Sequence, residues 1–189
     1  MTLTVHRAAD RPRTEWKNGG GTTSQVAGAP EGAGLDDFDW RVSIADVRSP
    51  GPFSPFDGVD RVIVLLDGAA MDLTVDGFHH RLLPDWPFSF AGEAMTDCAL
   101  PAGPTRDLNV MTRRGRFRAT VELLPVTGAT AVPAGDPLLL VVLAGKVEVA
   151  TAAGNRAHLD RLDAASSTGA LTATGDGVLA VIRLSPAQP

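Results

Sequence analysis

Hydrophobic and polar residues alternate most clearly in the stretch from Phe38 to Gly68, and the rest of the chain is best understood around it. Side chains alternate across an extended strand, so residues two apart share a face. One face carries Phe38, Trp40, Val42 and Ile44, and the other carries Asp39, Arg41, Ser43 and Ala45. This pattern predicts a half-buried strand with an apolar and a polar side. The run from Arg61 to Leu66 is apolar after its first residue, which predicts a strand covered on both faces.

Turn signals separate further short alternating segments along the chain. Segments 71–75, 78–83, 105–112 and 117–124 each have strand character, and Asp76-Gly77 is a hairpin signal. The chain of 189 residues contains 20 glycines and 14 prolines, and few long helical patterns. These features predict an all-β protein, with a proline- and glycine-rich junction at 125–137.

Landmarks of the middle of the chain recur 77 residues later. Leu66-Asp67-Gly68 corresponds to Leu143-Ala144-Gly145, and the apolar run 62–65 corresponds to 139–142. The repeat predicts two stacked β-barrel halves. We place the N-terminal half at 1–124, with the ligand site, and a degenerate C-terminal half at 125–189, which lacks Phe and Trp and has a structural role.

Charge and cysteine content narrow the classes of partner. The net charge of −5 and the pI of about 5.3 argue against nucleic acid binding. The basic run at 113–118 is interpreted as a solvated edge strand.

Cys98 is the single cysteine and cannot form an internal disulfide, and no leader pattern opens the chain, so we expect a cytoplasmic protein. The longest apolar run, 137–145, is about half of a membrane span, so no membrane association is expected. An edge strand at Leu3–Arg7 could pair across a homodimer.

Few residues in the sequence support a metal-binding site or a nucleophilic catalytic residue. The histidines are His6, His79, His80 and His158, and they form no ligand spacing. Cys98 is interpreted as a small buried thiol, and no serine-nucleophile motif occurs. We therefore predict no metal, no cofactor and no assigned catalytic residue.

Polar residues on ordered strand faces are the remaining candidates. Arg41 and Ser43 share one face of their strand, and Asp107 and Asn109 share one face of theirs. Each could simply face water. Together with Lys17-Asn18 beside three glycines, they could instead bind a small anionic or amide-bearing molecule, because a guanidinium matches a carboxylate in two parallel hydrogen bonds. The glycines themselves could equally form a hairpin tip anchored by Trp16.

Five blocks in this order resemble the HutD/Ves family: WKNGGGTT at 16–23, FDWRVSIADV at 38–47, GPFSPFDGVDR at 51–61, FSFAG at 88–92 and DLNVMTRR at 107–114. The resemblance implies a cupin-like, bicupin-type β-sandwich with an accessory or regulatory role in histidine utilisation. It also implies a ligand similar to urocanate or formylglutamate. The residues that match within the blocks and form the predicted ligand site are Lys17, Asn18, Gly19, Gly20, Arg41, Ser43, Ser54, Asp60, Arg61, Asp107 and Asn109.

Two other functions stay open from the sequence. The first is an isomerase or hydrolase acting on a small acid or sugar, with Asp60 or Asp107 as the general base beside an arginine. The second is a protein-interaction module that docks a partner through Trp16, Trp86 or Phe53.

Overall fold

The protein is all-β, as the turn-rich sequence predicts. The structure is a computed structural model that describes residues 2–135 and 137–187. Within these residues, sixteen strands and one 3-10 helix (Ala8–Asp10) form. The strands are β1 Leu3–His6, β2 Arg13–Glu15, β3 Gly21–Ala29, β4 Trp40–Val47, β5 Gly51–Pro52, β6 Val59–Asp67, β7 Met71–Val75, β8 Phe78–Leu82, β9 Phe88–Ala91, β10 Thr96–Ala99, β11 Thr105–Arg113, β12 Phe117–Val132, β13 Leu138–Thr151, β14 Arg156–Leu159, β15 Ala164–Ser167 and β16 Leu171–Pro186. No helix in the described part of the chain is long and apolar enough to cross a membrane.

The chain divides into two compact units. Among the described residues, the N-terminal unit consists of residues 12–117 with Ala187, and the C-terminal unit consists of residues 2–11 with 118–135 and 137–186. The N-terminal unit contains a six-stranded sheet in the order β2-β3-β4-β11-β6-β9 and a four-stranded sheet in the order β5-β10-β7-β8. The C-terminal unit contains one sheet in the order β1-β15-β13-β16-β12, with β14 paired to β13.

This division differs from the predicted halves at 1–124 and 125–189 in two places. Strand β1 pairs with β15, so the first residues of the chain belong to the C-terminal unit. The segment from Pro125 onward, expected as a junction, instead continues β12 to Val132. Strand β12 ends the strand order of its sheet, and proline is tolerated there because an edge strand needs fewer ladder donors.

The two sheets of the N-terminal unit pack face to face through an apolar core. Residues of the six-stranded sheet, such as Ile63 and Leu65, contact Met71, Leu73 and Leu82 of the four-stranded sheet. Ile63, Val64 and Leu65 are at most 1% exposed, so β6 is covered on both faces, as its continuous apolar run predicts.

The spacing of 77 residues is also visible in strand register. Arg61 of β6 pairs with Phe90 of β9, and 77 residues later Leu138 of β13 pairs with Ser167 of β15. Both pairings are antiparallel. The corresponding strands therefore share one register, which is the relation that the repeated sequence landmarks predict.

Candidate functional site

Three adjacent strands place polar side chains in successive rows on the inner face of the six-stranded sheet. Cross-strand pairing of β4, β11 and β6 gives the rows Arg41–Met111–Arg61, Ser43–Asn109–Ile63 and Ala45–Asp107–Leu65. Ala45, Ile63 and Leu65 on this face contact the four-stranded sheet, which identifies the face as the interior. Ser43 is only 1% exposed and Asp107 only 2%. Ser43 and Asp107 therefore point into the protein, whereas Arg41 and Asn109 are partly exposed.

Arg61 is a buried arginine that is surrounded by aromatic rings. Its guanidinium carbon lies 4.9 Å from the ring centre of Phe90, 5.3 Å from that of Phe53 and 5.8 Å from that of Phe56. Its side chain forms no ion pair within 4 Å and no hydrogen bond in the described residues, and its Nε is buried without a partner. Burial lowers the pKa of Arg61 to about 10, Asp107 opposes this effect, and Arg41 adds to it. Arg61 thus carries a buried positive charge that no carboxylate compensates at contact distance.

Arg41 supplies a second guanidinium to the same region. It lies in the same cross-strand row as Arg61, with Met111 between them, so the two Cα atoms are roughly 10 Å apart. Its Nε donates to Gln25 Oε1 at 3.0 Å and its Nη1 donates to Ser43 Oγ at 3.3 Å. Both acceptors are neutral. Burial lowers the pKa of Arg41.

The other arginines of the N-terminal unit are bound differently. Six of them form ion pairs with carboxylates within 4 Å: Arg13, Arg48, Arg81, Arg106, Arg114 and Arg116. Arg113 donates to backbone carbonyl groups of Asp36 and Phe38 and lies over the Phe38 ring. Among the described residues of this unit, Arg41 and Arg61 are therefore the two that are turned inward without an anionic partner.

Asp107 is the acidic group of the interior. It is fully enclosed, and burial raises its pKa to about 7, while Arg61 lowers it and Asp46 raises it further. It also raises the pKa of the neighbouring Cys98 thiol, although burial is the larger cause there. Between Asp107 and Arg41, the buried Oδ1 of Asn109 has no hydrogen-bond partner. The interior thus presents two positive charges, one titratable carboxyl group and an unsatisfied acceptor.

The glycine run lies at the other end of the same sheet. Gly21 pairs with Val47, six residues along β4 from Arg41, which corresponds to roughly 20 Å. Lys17, Asn18 and Gly19 are exposed at a hairpin turn between β2 and β3, where the Asn18 side chain accepts a hydrogen bond from the Gly20 amide at 3.0 Å.

The close approach that these glycines permit is to the protein's own backbone and to Trp16. A Cβ at Gly21 would lie 2.4 Å from the Asp46 carbonyl oxygen and 3.1 Å from the Trp16 ring. Trp16 Nε1 also donates to Thr23 Oγ1 at 2.7 Å. The hairpin-tip interpretation therefore describes the local structure, and Lys17, Asn18, Gly19 and Gly20 are not brought beside Arg41.

Ser54 and Asp60 are not part of these cross-strand rows either. Both residues are exposed. Asp60 Oδ1 accepts from Arg114 Nη2 at 2.8 Å, and it lies on the opposite face of β6 from Arg61 because the two residues are neighbours on one strand. Of the predicted site residues, the structure groups Arg41, Ser43, Arg61, Asp107 and Asn109 on one interior face.

The site predicted from the sequence does not include the residues that hold the two guanidinium groups. Phe56, Phe90 and Gln25 were not assigned to the site, and Phe53 was considered only as an exposed docking residue. Phe53 instead packs edge-to-face on Trp16, with ring centres 6.5 Å apart, as well as on Arg61. The one signal in the sequence is the period-two spacing of Phe88 and Phe90, which predicts that the rings of these two residues lie on the same face of their strand.

The C-terminal unit has apolar residues at the corresponding positions. Leu138 stands where Arg61 stands in the repeat. The pairs Leu140–Val181 and Val142–Leu179 stand where Ile63–Asn109 and Leu65–Asp107 do. The core of this unit contains those residues together with further valine, leucine and alanine side chains. The corresponding strand positions of the C-terminal unit therefore carry no charged residue, so this strand arrangement does not require the charges of Arg61 and Asp107.

No group of three or more histidine, cysteine, aspartate or glutamate side chains among residues 2–135 and 137–187 is arranged to hold a metal ion. His79 Nε2 lies 3.6 Å from Asp72, and His80 packs on Phe88 with ring centres 4.6 Å apart. Consecutive positions on β8 explain why the two rings point to opposite faces.

Comparison with known proteins identifies related chains. Residues 8–181 match the family model described as HutD. The chain is 41% identical over 151 residues to an uncharacterised 21.2 kDa protein in the hutC 3′ region of Pseudomonas putida, covering 79% of this chain and 78% of that one. It is 41% identical over 121 residues to protein Ves of Citrobacter koseri, covering 63% and 62%.

Solved structures agree with these relatives. The structure of HutD from Pseudomonas fluorescens SBW25, obtained in a formate condition, is 35% identical with a TM-score of 0.84, and the match covers 99% of this chain and 100% of that one. A cupin 2 conserved barrel domain protein from Leptotrichia buccalis is 6% identical with a TM-score of 0.60, covering 92% and 91%. This second likeness shows the fold alone, which is cupin-like, as the family resemblance implied.

Proposed function

Because the chain belongs to the HutD/Ves family, we propose that its N-terminal unit binds a small carboxylate-bearing metabolite without a metal ion. The ligand class is that of urocanate and formylglutamate, and the role is accessory or regulatory in histidine utilisation. The buried and unpaired guanidinium of Arg61 is the observation that carries this proposal.

A buried charge without a partner is costly, because the group loses its hydration and gains nothing in return. The aromatic rings around Arg61 offset part of this cost through cation–π attraction. They do not accept hydrogen bonds from the fork as a carboxylate does. A ligand carboxylate supplies the missing acceptors, and Arg41 in the same row can contribute a second positive charge.

The neighbouring polar groups support a ligand that carries an N–H group as well. The Oδ1 atom of Asn109 is a buried acceptor without a donor. Urocanate has an imidazole N–H and formylglutamate has an amide N–H, so either compound can satisfy this atom while its carboxylate meets an arginine. The buried hydroxyl of Ser43 lies in the same row and adds a further hydrogen-bonding group.

The regulatory role rests on the family and not on the site. The Pseudomonas putida relative is described by its position in the hutC 3′ region, and the Pseudomonas fluorescens relative is a HutD protein. A protein that binds a pathway intermediate can respond to its concentration. We therefore propose that ligand occupancy of this site reports the flow of metabolites through histidine breakdown.

Isothermal titration tests the binding proposal directly. Urocanate, formylglutamate, formiminoglutamate and histidine are titrated separately into the wild-type protein at concentrations up to millimolar. We expect heat from at least one carboxylate, and loss of that heat in Arg61→Met. Arg156→Met is the matched control, because Arg156 is an exposed arginine that pairs with Glu148 in the other unit. Absence of heat with all four compounds excludes the named ligand class.

An enzyme that acts on a small acid or sugar is the second candidate, and Asp107 is the observation that favours it. Its pKa of about 7 places a buried carboxyl group in the range of a general base beside an arginine. Asp60, the other candidate base, is exposed and paired with Arg114. If an Asp107→Asn variant binds ligand but has lost a turnover that the wild type shows, the enzyme proposal is favoured over simple binding.

A further inference from the structure

Gln25 contacts the guanidinium group of Arg41. Its Oε1 accepts from Arg41 Nε at 3.0 Å. Strand β3 has a register irregularity against β4 between Gln25 and Ala27, so that Gln25 pairs with Ser43 while Gly28 pairs with Arg41. Gln25 is therefore on the same side of the sheet as Ser43, at an exposed position beside the row that contains Arg41 and Arg61.

Gly28 provides the space that the Gln25 side chain occupies. A Cβ at Gly28 would lie 3.0 Å from Gln25 Nε2 and 3.3 Å from the Trp40 carbonyl oxygen. The carboxamide is thus held between a residue without a side chain and the guanidinium of Arg41. Ser43 Oγ accepts from Arg41 Nη1 at 3.3 Å, so the fork is held at two points.

The chemistry of these acceptors matters as much as their positions. The six arginines of this unit that form ion pairs are held by carboxylates, which orient the guanidinium group and also cancel its charge. An amide oxygen and a hydroxyl oxygen orient Arg41 and leave its charge available. Glutamate at position 25 would have nearly the same shape but would form an ion pair with Arg41.

We propose that Gln25 is a positioning residue of the ligand site, which aims Arg41 at the bound carboxylate and keeps its charge uncompensated. The inference rests on the proposed carboxylate-binding function. It assigns a role in affinity to a residue that itself need not touch the ligand.

A double-mutant cycle tests whether Gln25 acts through Arg41. Dissociation constants for formylglutamate and urocanate are measured by titration calorimetry in wild type, Gln25→Met, Gln25→Glu, Arg41→Met and the double variant Gln25→Met/Arg41→Met. We expect Gln25→Met to weaken binding about tenfold, since it removes a hydrogen bond to a charged group, and Gln25→Glu to weaken it further. In the Arg41→Met background, Gln25→Met should change the dissociation constant less than about twofold.

The same dissociation constants provide the control and the outcomes that would contradict the proposal. Ser24→Ala is the matched control, because Ser24 is the preceding residue of β3 and faces the other side of the strand. Its dissociation constant should equal that of the wild type. The proposal is overturned if Gln25→Glu binds as tightly as the wild type, or if Gln25→Met weakens binding equally with and without Arg41.

A second readout separates this inference from the proposed function. In protein labelled with [15N]arginine, the Arg41 Nε–H resonance should shift and exchange faster with solvent in Gln25→Met than in the wild type, while the Arg61 resonance is unchanged. If no compound binds the wild type, the proposed function fails, yet this signal still decides the Gln25–Arg41 contact. An Arg41 signal that is unchanged in Gln25→Met refutes the positioning role.

Discussion

Replacement of Arg61 by methionine should make the unliganded protein more stable and abolish its binding of carboxylates. The side chain is 6% exposed, forms no ion pair within the described residues, and contacts three phenylalanine rings. Methionine has a similar length and favourable contacts with aromatic rings. At the register-equivalent position of the C-terminal unit an apolar residue, Leu138, is already present.

The magnitude follows from the pKa of Arg61, which burial holds at about 10. Each tenfold change in proton affinity corresponds to ~1.4 kcal/mol, so keeping the buried guanidinium charged costs ~3 kcal/mol. The cation–π contacts that are lost are worth roughly 0.5–2 kcal/mol each, and methionine–aromatic contacts replace part of that. The net expectation is a rise of ~1–2 kcal/mol in the free energy of unfolding of Arg61→Met.

Urea denaturation of the ligand-free protein at pH 7.5, followed by tryptophan fluorescence and circular dichroism, measures this change. Arg106→Met is the matched control, since Arg106 is a partly buried arginine with Asp46 at 2.6 Å and Asp67 at 3.2 Å. Removal of that arginine leaves acidic groups with fewer partners, so the control should lose ~1–3 kcal/mol. The two variants therefore differ in the sign of the effect.

A fall of about 3 kcal/mol or more in the free energy of unfolding of Arg61→Met, similar to that expected when a buried ion pair is broken, would contradict this expectation. It would mean that Arg61 compensates an acidic group of the protein, with Asp107 as the candidate. Unchanged carboxylate affinity in a stabilised variant would instead remove Arg61 from the ligand site.

Three further predictions concern other positions. Burial raises the pKa of Asp107 to about 7, so the folded state retains a proton that the unfolded state releases near pH 4. The wild-type free energy of unfolding should therefore fall as pH rises from about 4 to about 7, and urea titrations at pH 5 and 8 should show no such fall in Asp107→Asn. Arg41→Ala should weaken carboxylate binding while the melting temperature changes little, because its acceptors are neutral; a large drop in melting temperature with intact binding contradicts this. Gly145→Ala should destabilise the protein by ~2 kcal/mol or more, because Gly145 has φ +72° and a Cβ would lie 2.0 Å from the Asp176 carbonyl oxygen; an unchanged melting temperature contradicts it.

Several levels of the fold could be read from local patterns. Period-two alternation identified the strand at 40–47, and the continuous apolar run identified the doubly covered strand β6. The recurrence of landmarks after 77 residues matched the shared register of the β6–β9 and β13–β15 pairs. These features are local or repeated, so they depend on the spacing of residues along the chain and on little else.

Unit membership and the glycine run show where local pattern is insufficient. Strand β1 joins the sheet of the C-terminal unit by pairing with β15. The side chains of His6 and Ser166, which are 160 residues apart in sequence, form a hydrogen bond between these two strands. Pro125 predicts the end of a strand, but it lies within the edge strand β12. Three consecutive glycines are compatible with a ligand or with a hairpin, and only the neighbouring Asp46 and Trp16 decide between them.

The alternation of residues along the chain is enough to show that Arg41 and Ser43 share one strand face, and that Asp107 and Asn109 share another. Only the packing of the two sheets shows that both faces lie on the inner side, that Arg61 joins them, and that Asp60 does not. Alternation defines two sides of a strand, but which side is buried depends on where the four-stranded sheet packs. Whether an arginine keeps its charge free depends on which carboxylates reach it, and those come from positions that the order of residues does not reveal.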